Sequence, residues 1–169
     1  MSKGLIDTIF SRRSIRRYTE EPVSEEKIKT ILKAAMAAPS GHNSKPWHFV
    51  LITERETLNR LAKAHKYAKM LSEAPLCISV CGDPSVSEEF WVQDCSAATE
   101  NILLAVTALD LGAVWCGVHP SQELVENISK ILGIDAPSVP LNLIAIGHPA
   151  EEKEPRTQYD KNRIHREKW

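Results

Sequence analysis

The sequence predicts an α+β domain. Segments with apolar residues at three-four spacing alternate with short β-branched runs bounded by Pro and Gly. A chain of 169 residues, 43% hydrophobic and 25% charged, is also the size and composition of one ordinary core that needs no disulfides.

The first helix is predicted over 3–11, with Leu5, Ile6, Ile9 and Phe10 on one side, running straight into Arg12, Arg13, Arg16 and Arg17. Ser24 before Glu25 and Glu26 is a strong helix start, a hydroxyl cap with acids at the positive end of the dipole. That helix reaches about Ala38, burying Ile28, Ile31, Leu32, Ala35 and Met36, and Pro39-Ser40-Gly41 ends it. Residues 48–52 read as a strand, 54–64 as a helix, and 76–82 as a buried strand after Pro75. The longest helix is predicted over about 87–111, with Trp91, Cys95, Ala98, Ile102, Ala105 and Leu109 on one face and Ala97, Leu104 and Ala108 on another. A helix apolar nearly all round in so small a domain points to packing on a second copy of the chain. A strand at 113–118, a helix capped by Ser121 and running to about Leu132, and a strand at 140–148 complete the order. The polar tail 149–169 shows no helical stripe, yet carries Ile164 and Trp169, so it is expected to dock on the body or on a partner subunit.

Bulk properties exclude several functions. With 21 Lys and Arg against 22 Asp and Glu, the net charge of −1 offers no broad attraction for nucleic acid or an anionic membrane. No apolar run approaches the roughly 20 residues that span a bilayer, and the start lacks a secretory pattern, so a cytoplasmic location is expected. Cys77, Cys81, Cys95 and Cys116 lie in apolar surroundings and are expected to be buried reduced thiols, a redox role for Cys116 being the alternative. The six histidines are scattered without a short-range ligand pair, so no metal is predicted. Neither a Gly-x-Ser-x-Gly elbow nor a Gly-rich dinucleotide fingerprint occurs.

Two segments carry chemistry. At 11–18, arginines bunch with Ser14 just after a helix; guanidinium forks hold phosphate oxygens bidentately, although such a run also suits a solvated face. At 38–49, small residues in a helix-ending loop let backbone groups approach a planar polar ring, and Asn43 both donates and accepts; a plain helix–strand connection sealed by Pro46 and Trp47 is the alternative.

Arg-Arg-Ser-Ile-Arg at 12–16, Pro-Ser-Gly-His-Asn-Ser-Lys-Pro-Trp at 39–47, Gly-Ala-Val-Trp-Cys-Gly-Val at 112–118 and the region of Arg156 together resemble the FMN-dependent nitroreductase family in order and spacing, over almost the whole chain. The resemblance implies one nitroreductase-like domain over 1–169: a central mixed, mainly antiparallel sheet of about four strands, flanked by helices, in an intertwined homodimer whose tail reaches the partner. It implies FMN at the interface, with Arg12, Arg13, Ser14 and Arg16 on the phosphate and ribityl side, Pro39, Ser40, Gly41 and Asn43 reaching in from the other subunit, Trp115, Cys116 and Gly117 near the flavin N5, and Arg156 closing on the phosphate. Tyr159 is a weaker candidate there. Lys69, with Lys66 as its competitor, would stabilise the reduced ring electrostatically. Lys45 stands where the family usually has Gln, replacing a neutral amide by a cation. The implied activity is hydride transfer from NAD(P)H through FMN to a nitroaromatic, quinone or similar small-molecule acceptor by a ping-pong route, with no protein acid or base. Dehalogenation or flavin destruction on the same fold, and a non-enzymatic flavin or electron-transfer module, are the alternatives. The short chain leaves little room for inserted helices, which predicts an open pocket and broad acceptor tolerance.

Overall fold

A computed structural model describes residues 4–169. In chain order the elements are α1 (Leu5–Ser11), α2 (Glu25–Met36), β1 (Trp47–Ile52), α3 (Arg55–Ala64), β2 (Leu76–Gly82), α4 (Trp91–Ala108), β3 (Gly112–Gly117), α5 (Gln122–Leu132) and β4 (Val139–Gly147). Local chemistry sets most boundaries. Ser24 accepts a hydrogen bond from the Lys27 N–H and Ser121 one from the Leu124 N–H, each satisfying a free donor of the first turn. Gly133 closes α5 in the left-handed conformation, φ 66°, that a Cβ disfavours.

The long helix is shorter than its apolar pattern predicts. It begins at Trp91, because Asp83 organises a preceding turn by accepting from the Ser85 N–H and hydroxyl. It ends at Ala108, because Asp110 turns left-handed at φ 57° and the Leu111 N–H reaches back to the Val106 carbonyl. Residue 3 of the first predicted helix lies outside the described residues.

The strands pair in the order β1-β2-β4-β3, every neighbour antiparallel. The mixed character of the sheet is confined to one parallel bridge, Ser14 with Ala113, where the segment after α1 runs along the outer edge of β3. The β2–β4 register slips beside Pro140, which has no N–H to give the ladder.

Alternation along the strands divides the core in two. Ile78, Ile144 and Ile146 face α2 and α4 with Ile31 and Ile102. Cys77, Leu143 and Cys116 face α3 and α5 with Leu58, Leu61 and Ile128. Each fully buried Leu or Ile contributes about 1.5–3 kcal/mol, so both layers add substantially to stability.

Several apolar side chains of the described residues remain uncovered in one chain. On α1, Leu5 is 71% and Ile6 58% exposed, so the start of the predicted apolar side of that helix is largely uncovered within the protomer. Met36, read as part of the α2 stripe, is 54% exposed at the helix end. Beyond Ala150 the tail is irregular apart from a 3-10 turn at Lys161–Arg163, and Trp169, fully exposed, stacks on His165. The tail therefore does not dock its last aromatic on its own body.

Candidate functional site

The outer edge of β3 borders a cleft that several of the predicted residues line. The Val118 N–H donates to Leu141, and hydrogen-bonded pairs alternate along an antiparallel ladder, so residues 112, 114 and 116 bond to β4 while 113, 115 and 117 direct their N–H and C=O groups away from it. Ala113 spends its carbonyl on the Ile15 N–H. Gly117 gives its carbonyl to His65 Nε2 at 2.7 Å. The N–H groups of Trp115 and Gly117, and the Trp115 carbonyl, point into a cleft of about 510 Å³ lined also by Arg16, Lys66, Tyr67, Lys69 and Met70.

His65 fixes one wall of this cleft. Its ring is 2% exposed, and Nδ1 accepts from the Tyr67 N–H at 3.1 Å, so the proton sits on Nε2 and is donated to Gly117. One neutral ring thus ties the loop bearing Lys66 and Lys69 to the end of β3. Arg55 holds the far end of the same loop, donating to the carbonyls of Leu71, Ser72 and Ala74.

The cleft has no carboxylate in its lining, while three cations enter it. The Lys66 ammonium lies over the Tyr67 ring, 4.7 Å from its centroid; Arg16 and Lys69 are exposed. Such a donor set accepts an anion or a ring that becomes anionic, and the outward backbone groups of 115 and 117 suit the polar edge of a planar ring.

Cys116 lies beneath this floor rather than in it. Its thiol donates weakly toward the Tyr67 carbonyl at 3.6 Å, and burial pushes it up to about 11 against a small opposing effect of Arg16. Burial likewise raises Cys95 to about 12 and lifts Cys77 and Cys81. A raised thiol is neutral below its pKa, so at pH 8 only about one Cys116 in a thousand is thiolate. Native protein is expected to resist maleimide at pH 8, with all four thiols reacting once urea unfolds the chain; rapid labelling of native Cys116 would show an exposed, activated thiol instead.

The N-terminal arginines are occupied by the protein itself. Arg12 pairs with Glu100 at 3.7 Å, the Arg13 guanidinium donates to the Glu154 carbonyl, and Lys153 donates to the Ser14 carbonyl at 2.6 Å. The Arg16 N–H donates to Glu151, and that bond, with those from Lys153, holds the Glu151 carboxyl below its ordinary range. Arg156 docks through its backbone N–H on the Phe10 carbonyl, and Tyr159 is exposed. The predicted phosphate group of residues thus gathers around the α1 end, next to Arg16.

The loop 39–45 is built apart from that cleft. His42, Asn43 and Lys45 all have left-handed φ, between 52° and 56°, and Ser40 Oγ accepts from the Lys45 N–H. At Gly41 a Cβ would lie 2.8 Å from the Phe90 ring, so only glycine lets the turn close on that side chain. The loop hangs on Asp94, a residue the apolar pattern of α4 conceals. Asp94 is 5% exposed and accepts from the Gly41 N–H at 2.9 Å and from the hydroxyls of Ser44 and Ser87.

Pro39, Ser40, Gly41, Asn43 and Lys45 precede β1, and Arg16, Lys69 and Trp115–Gly117 lie beyond β3, at opposite edges of the sheet. Three strand spacings of about 4.8 Å separate those edges by roughly 14 Å. One chain does not bring the two groups together.

Matching the chain to protein-family models identifies the Nitroreductase family over residues 9–67 and 62–148. The chain belongs to the nitroreductase family. An Archaeoglobus fulgidus relative, provisionally named NADH dehydrogenase/NAD(P)H nitroreductase, is 46% identical over 167 residues, 95% of this chain and 96% of its own length. A crystal structure under the same provisional name from Bacteroides thetaiotaomicron superposes with a TM-score of 0.96 at 40% identity, covering all of both chains. A nitroreductase-like protein of Desulfovibrio desulfuricans, solved in complex with FMN, superposes at TM-score 0.78 and 34% identity over 93% of each chain. The nitroreductase fold, an antiparallel sheet between helices, is thus shared at full length.

Proposed function

We propose that this nitroreductase-family chain forms a homodimer that binds FMN and passes reducing equivalents from NAD(P)H to a small electrophilic acceptor. The observation that carries this reading is the carboxylate-free cleft in which Arg16, Lys66 and Lys69 surround the outward backbone groups of Trp115 and Gly117. Arg16, Lys69, Trp115 and Gly117 would hold the flavin ring side, and Arg12, Arg13, Ser14 and Arg156 its phosphate side. FMN when bound supplies the chemistry, accepting hydride at N5 and returning it to the acceptor.

The chain's own residues provide binding and charge. Arg16 and Lys69 favour negative charge at the cleft, with little competition from acids. The Gly117 and Trp115 N–H groups are fixed donors, since the β3–β4 ladder and His65 hold their strand in place. The backbone of Cys116 belongs to the cleft wall, its thiol to the core. Beside the cleft, residues 64–67 and 117–121 line a further open space of about 460 Å³, sharing Lys66, Tyr67 and Gly117, which gives an acceptor room.

Dimerisation follows from what one chain leaves unfinished. The loop 39–45, roughly 14 Å away within its own protomer, completes the cleft only when supplied by a second copy. The exposed side of α1, the partly exposed Ala97 and Leu104 of α4, and the tail ending in Trp169 are surfaces that such a copy would cover.

The test is an absorbance spectrum of the purified protein, before and after anaerobic NADH or NADPH, with sedimentation giving the mass. Flavin bands that bleach, on a particle of twice the chain mass, are expected. A colourless protein that takes up no added FMN would overturn the reading.

A further inference from the structure

The cations of the cleft do not end there. Lys66 and Lys69 also line a neighbouring cleft of about 600 Å³ against α3, with Lys63 on its other side. Lys63 in turn lines a third cleft of about 480 Å³, between α3 and α5, with Arg60 and Lys130. Neighbouring clefts share side chains, Lys66 and Lys69 between the first two and Lys63 and Ala64 between the second and third, and none has a carboxylate in its lining. Among the described residues, none of the six cations along this track is ion-paired. In a chain with slightly more acids than bases, an acid-free run of this kind is a local asymmetry, and it starts at the candidate hydride-transfer site.

We infer that the α3–α5 cleft is the subsite for the 2′-phosphate of NADPH, and that it makes NADPH the preferred reductant. The inference rests on the proposed flavin chemistry and names its donor. A nicotinamide over the cleft at β3 sends its pyrophosphate along Lys66 and Lys63, and the adenosine end then arrives at Arg60 and Lys130. A phosphomonoester carries about −1.5 to −2 at neutral pH, which the guanidinium of Arg60 and the ammonium of Lys130 match in charge. Ala64 and Ile131 in the same cleft give an adenine ring apolar contact, and the Asn127 amide offers it hydrogen bonds. NADH lacks the phosphate and leaves the two outer cations solvated, at no gain in binding. An acidic protein docking on the same track is the competing occupant; it would need no nucleotide phosphate and would show no NADPH preference.

The experiment compares kcat/KM for NADPH and NADH on FMN-loaded protein, with a fixed quinone acceptor, for the unmodified chain and for Arg60→Glu combined with Lys130→Glu. Both positions are exposed helix surface, so the fold should persist, and FMN content and thermal midpoint verify it. The unmodified chain is expected to prefer NADPH at least tenfold, and the double variant to lose at least tenfold with NADPH while NADH changes less than twofold. Added salt should raise the KM for NADPH more than that for NADH. Equal use of the two nucleotides by the unmodified chain, or an equal loss with both in the variant, overturns the subsite. A flavin that neither nucleotide reduces overturns the underlying activity instead, which the unmodified chain alone reveals.

Discussion

Replacing Asp94 with alanine is expected to lower the stability of the protein by about 2–5 kcal/mol and to strip it of FMN. Three donors converge on this carboxylate: the Gly41 N–H and the hydroxyls of Ser44 and Ser87. A buried donor left without its acceptor costs about 1–3 kcal/mol, and the Gly41 amide cannot turn away as a hydroxyl can. The three left-handed residues of the loop, His42, Asn43 and Lys45, are held by this network, so losing it frees a strained turn. For a domain of this length, about 2–4 °C of thermal midpoint accompanies each kcal/mol, giving a fall of roughly 4–20 °C. Asp94→Asn keeps an acceptor for the Gly41 N–H and should fall by less than half as much. The check is calorimetry on apo protein together with flavin content after purification. A midpoint within about 2 °C of the parent would show that the loop is held by its own backbone and by Phe90.

Asp94 also illustrates where reading the sequence runs out. Helix starts at Ser24 and Ser121 and the end of α5 near Leu132 were legible, because caps act within three or four residues. The ends of α4 were not, since Asp83 and Asp110 shape them through turns that interrupt an apolar pattern without changing its composition. A carboxylate on a buried face looks in sequence like a gap in the stripe; its partners lie 53 and 50 residues earlier. His65 bonds to a carbonyl 52 residues away, and nothing nearby in the chain marks it.

The candidate site was legible to a different degree at each end. Arg16, Lys69, Trp115 and Gly117 line one cleft, and Lys66 lines it too, so the geometry of one chain does not choose between the two lysines. Arg12 is answered by Glu100 of α4 and Arg13 by the Glu154 carbonyl of the C-terminal tail, long-range contacts that no local pattern encodes. The separation of loop 39–45 from that cleft follows only from strand order, since β1 and β3 are opposite edges although both were correctly read as strands.

Arg16→Ala and Lys69→Ala are each expected to weaken FMN binding about 10- to 100-fold, as charge-assisted hydrogen bonds worth roughly 1.5–3 kcal/mol disappear. Because both side chains line one cleft, the double variant should fall short of the product of the single effects. The fold should survive: the Arg16 backbone keeps its bond to Glu151, and Lys69 is exposed. Lys66→Ala is the internal comparison. Its ammonium already rests on the exposed Tyr67 ring, so its loss should cost less than about fivefold. Fluorescence titration of apo protein with FMN measures all four variants. Retention of parental affinity by the double variant would move the flavin out of this cleft, whereas a larger loss for Lys66→Ala than for Lys69→Ala would exchange their roles and leave the cleft itself in place.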